Sequence, residues 1–181
     1  MDNAETLHQN DQPLNEFARC HIGIINKLDQ LGELPALLEP AARAREIADN
    51  SLHFFREAIF EHHLDEEREL FPAVLASAKQ GTEHDRVQVM IKRLTDEHRA
   101  LEAIWKQLES GLKKVAKGRS VEMDIPALQT LVRQYRAHAH YEETEFLPLS
   151  QEILGRNSNH LAALGMSLHM RHAKLPTAGY V

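Results

Sequence analysis

The stretch HHLDEERELFP, residues 62–72, returns later in the chain as HAHYEETEFLP, residues 138–148. The two copies are 76 residues apart, and both contain His-x-x-x-Glu and end in proline. On an α-helix a step of four residues returns to nearly the same face, so a histidine and the glutamate that follows it can address one point. The matched pairs are His62 with Glu66 and His138 with Glu142.

Two further histidines repeat at almost the same offset. His21 and His98 lie 77 residues apart, each in the middle of an apolar stripe with steps of three and four residues. This pattern predicts a duplicated helical hairpin, in which each copy contributes one lone histidine and one His-x-x-x-Glu pair.

Amphipathic periodicity and helix-boundary signals predict an all-α fold of four main helices. Short connections between such helices are typical of an antiparallel up-down-up-down four-helix bundle. We expect a flexible lead-in over residues 1–12, the bundle over 13–155, and a short additional C-terminal helix with a tail over 156–181. The predicted helices run from about Gln12 to a stop at Gly32–Pro35, from about Pro40 to Ala78 with a kink at Pro72, from about His84 to Lys117, and from about Asp124 to Pro148.

The composition agrees with a helical, soluble protein. The 181 residues include only 8 glycines and 7 prolines, with 43% hydrophobic and 27% charged residues. A net charge of −6 without a basic run argues against nucleic acid or an anionic membrane as partner. The single cysteine, Cys20, excludes an internal disulfide and a cysteine cage for zinc or iron-sulfur clusters. The polar, acidic start and the absence of a long apolar run lead us to expect a cytoplasmic location.

The repeated histidines and glutamates indicate a metal site. A lone histidine in an apolar stripe is usually a hydrogen-bonded core residue, and a single His-x-x-x-Glu pair usually lies on a helix surface. Here four histidines and two glutamates fall on the apolar faces of four predicted helices. Burying them unpaired would cost about 1–3 kcal/mol each, and a shared metal centre removes that cost.

The donor types favour particular metals. Imidazole nitrogens and carboxylate oxygens at higher coordination number suit a pair of iron or manganese ions, whereas structural zinc prefers a closed tetrahedral site. Two glutamates that bridge both ions would leave open positions for a small exogenous molecule such as O2, NO or peroxide.

These motifs resemble those of hemerythrin-like proteins of the HHE cation-binding type, over about residues 12–155. The matching segments are Phe17–His21, His62–Pro72, Asp96–His98 and His138–Pro148. The resemblance implies an oxo- or hydroxo-bridged centre of two iron ions, with manganese or zinc less favoured. Its implied ligands are His21, His62, Glu66, His98, His138 and Glu142.

The resemblance implies a non-haem di-iron protein that binds or senses O2 or NO, or handles iron and redox stress. Oxygen-carrying hemerythrins have a fifth histidine, but Leu94 and Glu102 flank His98 at the four-residue steps. The four-His, two-Glu set is similar to that of bacterial iron-sulfur repair proteins, which usually carry a cysteine-bearing N-terminal domain that is not found before residue 12. Cluster repair and a metal-free structural bundle are the alternatives. The short C-terminal helix is expected either to cap the bundle or to form a homodimer contact.

No nucleophile or general acid independent of the metals is evident, so we assign no catalytic residue and do not expect a substrate-transforming enzyme. The Glu-x-x-His signature of ferritin-like enzymes occurs only at Glu5-x-x-His8. His63 is expected to point about 100° away from His62, either exposed or behind the ligands. Glu67 and Glu143 are candidates for orienting ligand imidazoles, with surface solvation as the alternative.

Overall fold

The computed structural model describes residues 12–156, and every regular element in that range is helical. The all-α prediction is therefore confirmed for the described residues. The predicted lead-in over residues 1–11 and the C-terminal helix near residues 159–173 lie outside them. The helices are α1 (Gln12–Phe54), α2 (Phe60–Asp65), α3 (Phe71–Ser77), α4 (Thr82–Ala116), α5 (Ile125–Tyr141) and α6 (Leu147–Gly155), with π-helical segments π1 (Phe55–Ile59), π2 (Glu66–Leu70) and π3 (Glu142–Phe146).

The chain divides into two units, residues 1–46 and residues 47–181. In the first unit, α1 runs without a break through Pro35 and Pro40, so the predicted stop at Gly32–Pro35 is wrong. A proline inside a helix removes a hydrogen bond and costs about 3 kcal/mol. The flanking residues are mostly alanine, leucine, glutamate and arginine, which are strong helix formers and offset part of that cost.

The first unit carries a long row of exposed apolar side chains on α1. Ile24, Ile25, Leu28 and Leu31, which belong to the predicted apolar stripe, are each between 49% and 60% exposed. These side chains of the stripe therefore face solvent. The antiparallel up-down-up-down arrangement of four helices stays a prediction.

In the second unit, the sequence repeat appears as a repeat of local structure. The π2 and π3 segments begin at Glu66 and Glu142, and each is followed by a helix with proline in its first turn. In each segment the backbone N–H five residues on, at Phe71 or Leu147, donates to the carbonyl of the glutamate. Proline cannot complete the normal helical ladder and clashes with the carbonyl four residues earlier, so a wider turn before it relieves the conflict. The predicted interruption near Pro72 is confirmed.

Cap residues determine where α4 ends and where α5 begins. Gly118 has φ of 65°, and the backbone N–H of Arg119 donates to the carbonyl of Lys114 at 2.9 Å. This Schellman arrangement ends α4 where the sequence predicts. The carboxylate of Asp124 accepts from the backbone N–H of Ala127 at 2.9 Å and begins α5 at the predicted position.

Two apolar clusters lie on either side of a polar layer. One cluster includes Phe71, Leu94 and Phe146, and the other includes Leu101 and Leu131. Along α4, His98 falls between Leu94 and Leu101, and along α5 and π3 the residues between Leu131 and Phe146 include a buried histidine and a buried glutamate. The helices α4 and α5 pack on each other, and α3 packs on α4 and α6. The second unit therefore holds buried polar side chains between two apolar cores.

Among residues 12–156, none of the helices combines the length and the apolar character that crossing a membrane requires.

Candidate metal centre

Four of the six predicted ligands come together in the second unit. One donor atom from each of Glu66, His98, His138 and Glu142 lies within 4.8 Å of the others, and all four residues are buried. They come from π2, α4, α5 and π3, so three separate segments of the chain converge on one point. Nitrogen and oxygen donors at this separation match the requirements of a transition-metal ion.

His63, which is expected to be either exposed or behind the ligands, lies beside two members of this group, His98 and His138. His63 is only 1% exposed, and its donor atom lies within 4.8 Å of those of His98 and His138. Its ring stacks on that of His98, with centroids 3.9 Å apart and planes at 5°. Of the two positions expected for His63, the exposed one is wrong, and the position behind the ligands is consistent with its burial against His98. The only sequence signal was its position beside His62 in the repeat.

The other two predicted ligands lie differently. The side chain of His62 is 46% exposed, and its Nε2 atom lies 3.2 Å from Oε1 of Glu66, at the edge of the cluster. His21 is in the first unit, on α1, with an exposed side chain. The complete six-residue ligand set therefore stays a prediction.

The cluster contains donor atoms that the protein does not satisfy by itself. In the described part of the chain, six buried side-chain nitrogen and oxygen atoms make no hydrogen bond of good geometry. Leaving such a group unpaired costs about 1–3 kcal/mol, and a bound cation would satisfy several of them together. The residues present therefore fit a metal ion. The six atoms are both ring nitrogens of His63, Nε2 of His98 and His138, Oε2 of Glu66 and Oε1 of Glu142.

Glu67 orients His98. Its Oε1 atom lies 2.8 Å from Nδ1 of His98, and Arg99 pairs with its other oxygen. A carboxylate at Nδ1 favours the tautomer in which Nδ1 carries the proton, so Nε2 presents its lone pair to the cluster. Of the two roles expected for Glu67, orienting an imidazole and solvation at the surface, the contact with His98 supports the first.

His138 has the same arrangement with a different acid. Oε2 of Glu97 lies 3.0 Å from Nδ1 of His138, and Arg93 donates to Glu97 from Nε at 2.8 Å. Glu143, the repeat counterpart of Glu67, is exposed. The internal repeat thus preserves the ligand pair, while the orienting carboxylate comes from α4.

Burial and charge set the protonation of the cluster. Burial, with the nearby charge of Glu66, raises the pKa of Glu142 to about 9, so Glu142 keeps its proton at neutral pH. Burial also acts to raise the pKa of Glu66, but the close contact with His98, at 3.3 Å, and the charge of His62 outweigh it, and the pKa is lowered. Burial and the neighbouring histidines lower the pKa of His63 to about 3, so its ring is neutral. Burial acts to lower the pKa of His98, but Glu66 and Glu67 outweigh it, and the pKa is raised. A cation entering the cluster would meet the neutral ring of His63 and displace the carboxyl proton of Glu142.

The surroundings of the cluster are mostly apolar and aromatic. The rings of Phe71 and His98 stack at 6.0 Å, and the Tyr135 ring lies 6.0 Å from that of His138. Burial raises the pKa of Tyr135 to about 12, so its hydroxyl remains a donor. A groove of about 460 Å³ on α4 and α5 is lined by Arg93, Glu97 and His138, among others. The groove therefore borders the cluster at His138, which is itself only 2% exposed.

The fold and site define a helical protein with a buried histidine and carboxylate cluster. The family described as the hemerythrin HHE cation-binding domain matches residues 12–150. The chain belongs to this family, and the predicted resemblance is confirmed.

A curated protein of Haemophilus influenzae, itself named only as uncharacterized, is 26% identical over 160 residues. The matched region covers 84% of this chain and 90% of that protein. No solved structure matches the chain.

Proposed function

We propose that this chain is a non-haem di-iron protein of the cytoplasm that binds or senses O2 or NO, or handles iron under redox stress. The observation that carries the proposal is the buried cluster of Glu66, His98, His138 and Glu142, whose inward donor atoms have no hydrogen bond of good geometry. Membership of the hemerythrin HHE family supports a cation as the missing partner of these atoms.

The donor set supports iron. The cluster offers imidazole nitrogens and carboxylate oxygens, which favour iron or manganese over structural zinc. The two oxygens of Glu66 face different imidazoles, with Oε1 3.2 Å from His62 and Oε2 3.3 Å from His98. A carboxylate placed between two imidazoles in this way suits a bridge between two ions. A bound iron pair would supply redox chemistry and sites for a diatomic molecule.

The protein itself would control orientation, protons and water. The carboxylate of Glu67 contacts Nδ1 of His98, and that of Glu97 contacts Nδ1 of His138. Nε2 of each ring is then available to bind a metal ion. Glu142 retains a proton until a cation replaces it. The two apolar clusters exclude bulk water from above and below the polar layer, which strengthens every electrostatic contact within it.

The proposal includes the ligands that the sequence predicts beyond this cluster. His62 lies at its edge and would complete the first His-x-x-x-Glu pair. In this proposal α1, with its exposed apolar row, is one of the four helices of the antiparallel bundle. His21 is the lone histidine ligand that α1 contributes. A homodimer through the C-terminal helix is the remaining part of the proposal.

Metal analysis tests the central claim. The purified protein is expected to contain about two irons per chain and to absorb in the near ultraviolet. Glu66→Ala and Glu142→Ala should lose metal, whereas Glu143→Ala, at the exposed repeat position beside Glu142, should keep it. A colourless, iron-free protein that does not take up Fe²⁺ anaerobically would support the metal-free structural bundle and refute the proposal.

The diatomic ligand is tested on the reduced, iron-loaded protein. Titration with O2 and with NO, followed by absorption, should give a new spectrum with at least one of them. A stable and reversible O2 spectrum would favour carriage, and rapid oxidation would favour sensing or iron handling. A protein whose spectrum responds to neither gas would contradict this part of the function while leaving iron binding intact.

A further inference from the structure

Among residues 19–156, His63 is the most deeply buried histidine outside the predicted ligand set. It is 1% exposed, and neither of its ring nitrogens makes a hydrogen bond of good geometry. Its ring lies 3.9 Å from that of His98 and 5.8 Å from that of His138, measured between centroids. An imidazole with two unsatisfied nitrogens is expensive to bury unless something binds it.

The surroundings of His63 follow the arrangement of the other two buried histidines. Nδ1 of His98 faces Glu67 at 2.8 Å, and Nδ1 of His63 faces Oε1 of Glu102 at 3.7 Å. One guanidinium, that of Arg99, pairs with both of these carboxylates. Glu102 therefore faces the same ring nitrogen of His63 that Glu67 faces in His98, but its distance is longer than a hydrogen bond, and Nε2 of His63 also has no hydrogen-bond partner.

A purely structural role does not account for this residue. The repeat counterpart of His63 is Ala139, so the fold does not require a ring at this position in both copies. Stacking on His98 requires only an aromatic face, which phenylalanine would supply without burying two nitrogens. The nitrogens themselves therefore need an explanation.

We propose that His63 is a metal ligand through Nε2, and that it forms with His98 and His138 a histidine-rich half of the metal centre. The donor atoms of these three residues lie within 4.8 Å of one another. This inference rests on the proposed function. Because Glu66 and Glu142 are the buried carboxylates of the cluster, one ion position is rich in nitrogen and the other is rich in oxygen. The two positions then bind a divalent transition metal with different affinities.

The test uses Co²⁺ with the full chain, added anaerobically to the metal-free protein. His63→Phe keeps an aromatic face against His98 and removes both nitrogens. His63→Gln is the second variant if the first does not fold, and His140→Gln, an exposed histidine of the repeat, is the matched control. Circular dichroism shows that each variant is folded before its metal binding is compared.

Two measurements report on ligation directly. Titration by visible absorption gives the number of bound Co²⁺ ions and their affinities. Proton NMR of the Co²⁺ form counts the shifted, exchangeable imidazole N–H signals, one for each histidine that binds through Nε2. We expect His63→Phe to lower the affinity for one of the two bound Co²⁺ ions at least about 100-fold. Residues that only orient ligands already contribute about 10–100-fold to metal affinity, and a ligand should contribute at least as much. We also expect it to remove one shifted N–H signal, with the control unchanged.

The outcomes separate this inference from the function on which it rests. If the wild type binds Co²⁺ and His63→Phe gives the same affinities and the same number of shifted signals, His63 is not a ligand and the proposed function stands. If the wild type binds no Co²⁺ at all, the proposed function and this inference both fail.

Discussion

Replacing Glu67 tests how much an orienting carboxylate contributes to the metal centre. Glu67 lies 2.8 Å from Nδ1 of His98, whose side chain is fully buried, and is itself only 18% exposed. A hydrogen bond between a carboxylate and a buried imidazole is charge-assisted and weakly screened by solvent. We expect Glu67→Gln to weaken metal binding about 10-fold and Glu67→Ala about 100-fold, which correspond to about 1.4 and 2.7 kcal/mol.

The two substitutions differ for a physical reason. Glutamine keeps the length of the side chain and an oxygen that can accept from Nδ1 of His98, but it loses the charge. Alanine leaves Nδ1 buried without a partner, so the metal-free protein should also lose about 1–3 kcal/mol of stability.

The assay is anaerobic Fe²⁺ binding in competition with a coloured chelator, together with urea denaturation of the metal-free protein. Glu143→Gln is the matched control, because Glu143 occupies the same repeat position and is exposed. Its affinity should equal that of the wild type. The reasoning is refuted if Glu67→Gln binds Fe²⁺ as tightly as the wild type, or if Glu143→Gln weakens binding by the same factor.

Three further predictions concern stability in the metal-free protein. The pKa of Glu142 is raised from 4.5 to about 9. Between these pH values the folded state therefore holds one proton more than the unfolded state. The free energy of unfolding should fall with rising pH by up to about 1.4 kcal/mol per pH unit in this range. Urea midpoints across that range should show this slope and Glu142→Gln should remove it, while equal slopes would be inconsistent with a buried protonated carboxyl. Leu94→Ala, at a fully buried position of α4, should lower the free energy of unfolding by about 2–5 kcal/mol in the same assay. Val132→Ala, at an exposed position, should lower it by less than about 0.5 kcal/mol. Similar losses in the two variants would argue against the described core. Asp124→Ala removes the acceptor for the N–H of Ala127 and should cost about 0.5–2 kcal/mol, whereas an unchanged midpoint would show that this cap contributes nothing.

The helices of the second unit were largely predictable because their signals are local. The apolar stripe of α4 and the caps at Gly118 and Asp124 depend on residues within a few turns, and the structure follows them. The repeat likewise predicted that Glu66 and Glu142 would occupy equivalent places, and both begin a π-helical segment. Pro35 and Pro40 misled the prediction for α1, since proline is a strong local signal that the helix nevertheless overrides.

The identity of the inward-facing histidine was not predictable from spacing. In a regular α-helix, steps of three and four residues from Phe55 and Ile59 would place His62 on the apolar face. Those two residues bound the π1 segment, whose wider turn shifts the register of everything after it relative to a regular α-helix. Adjacent residues differ by about 100° around a helix, so a shift of this kind is enough to exchange His62 for His63.

The period of the helix is a local signal, and from it the sequence predicts a helical chain with a duplicated His-x-x-x-Glu element. The same period makes six residues candidates for one site: His21, His62, Glu66, His98, His138 and Glu142. Only the tertiary structure decided which side chains support that site. Glu97 orients His138 across 41 residues, and Glu67 orients His98 across 31. Contacts of this kind depend on how separate helices pack, and no spacing within a single helix specifies them.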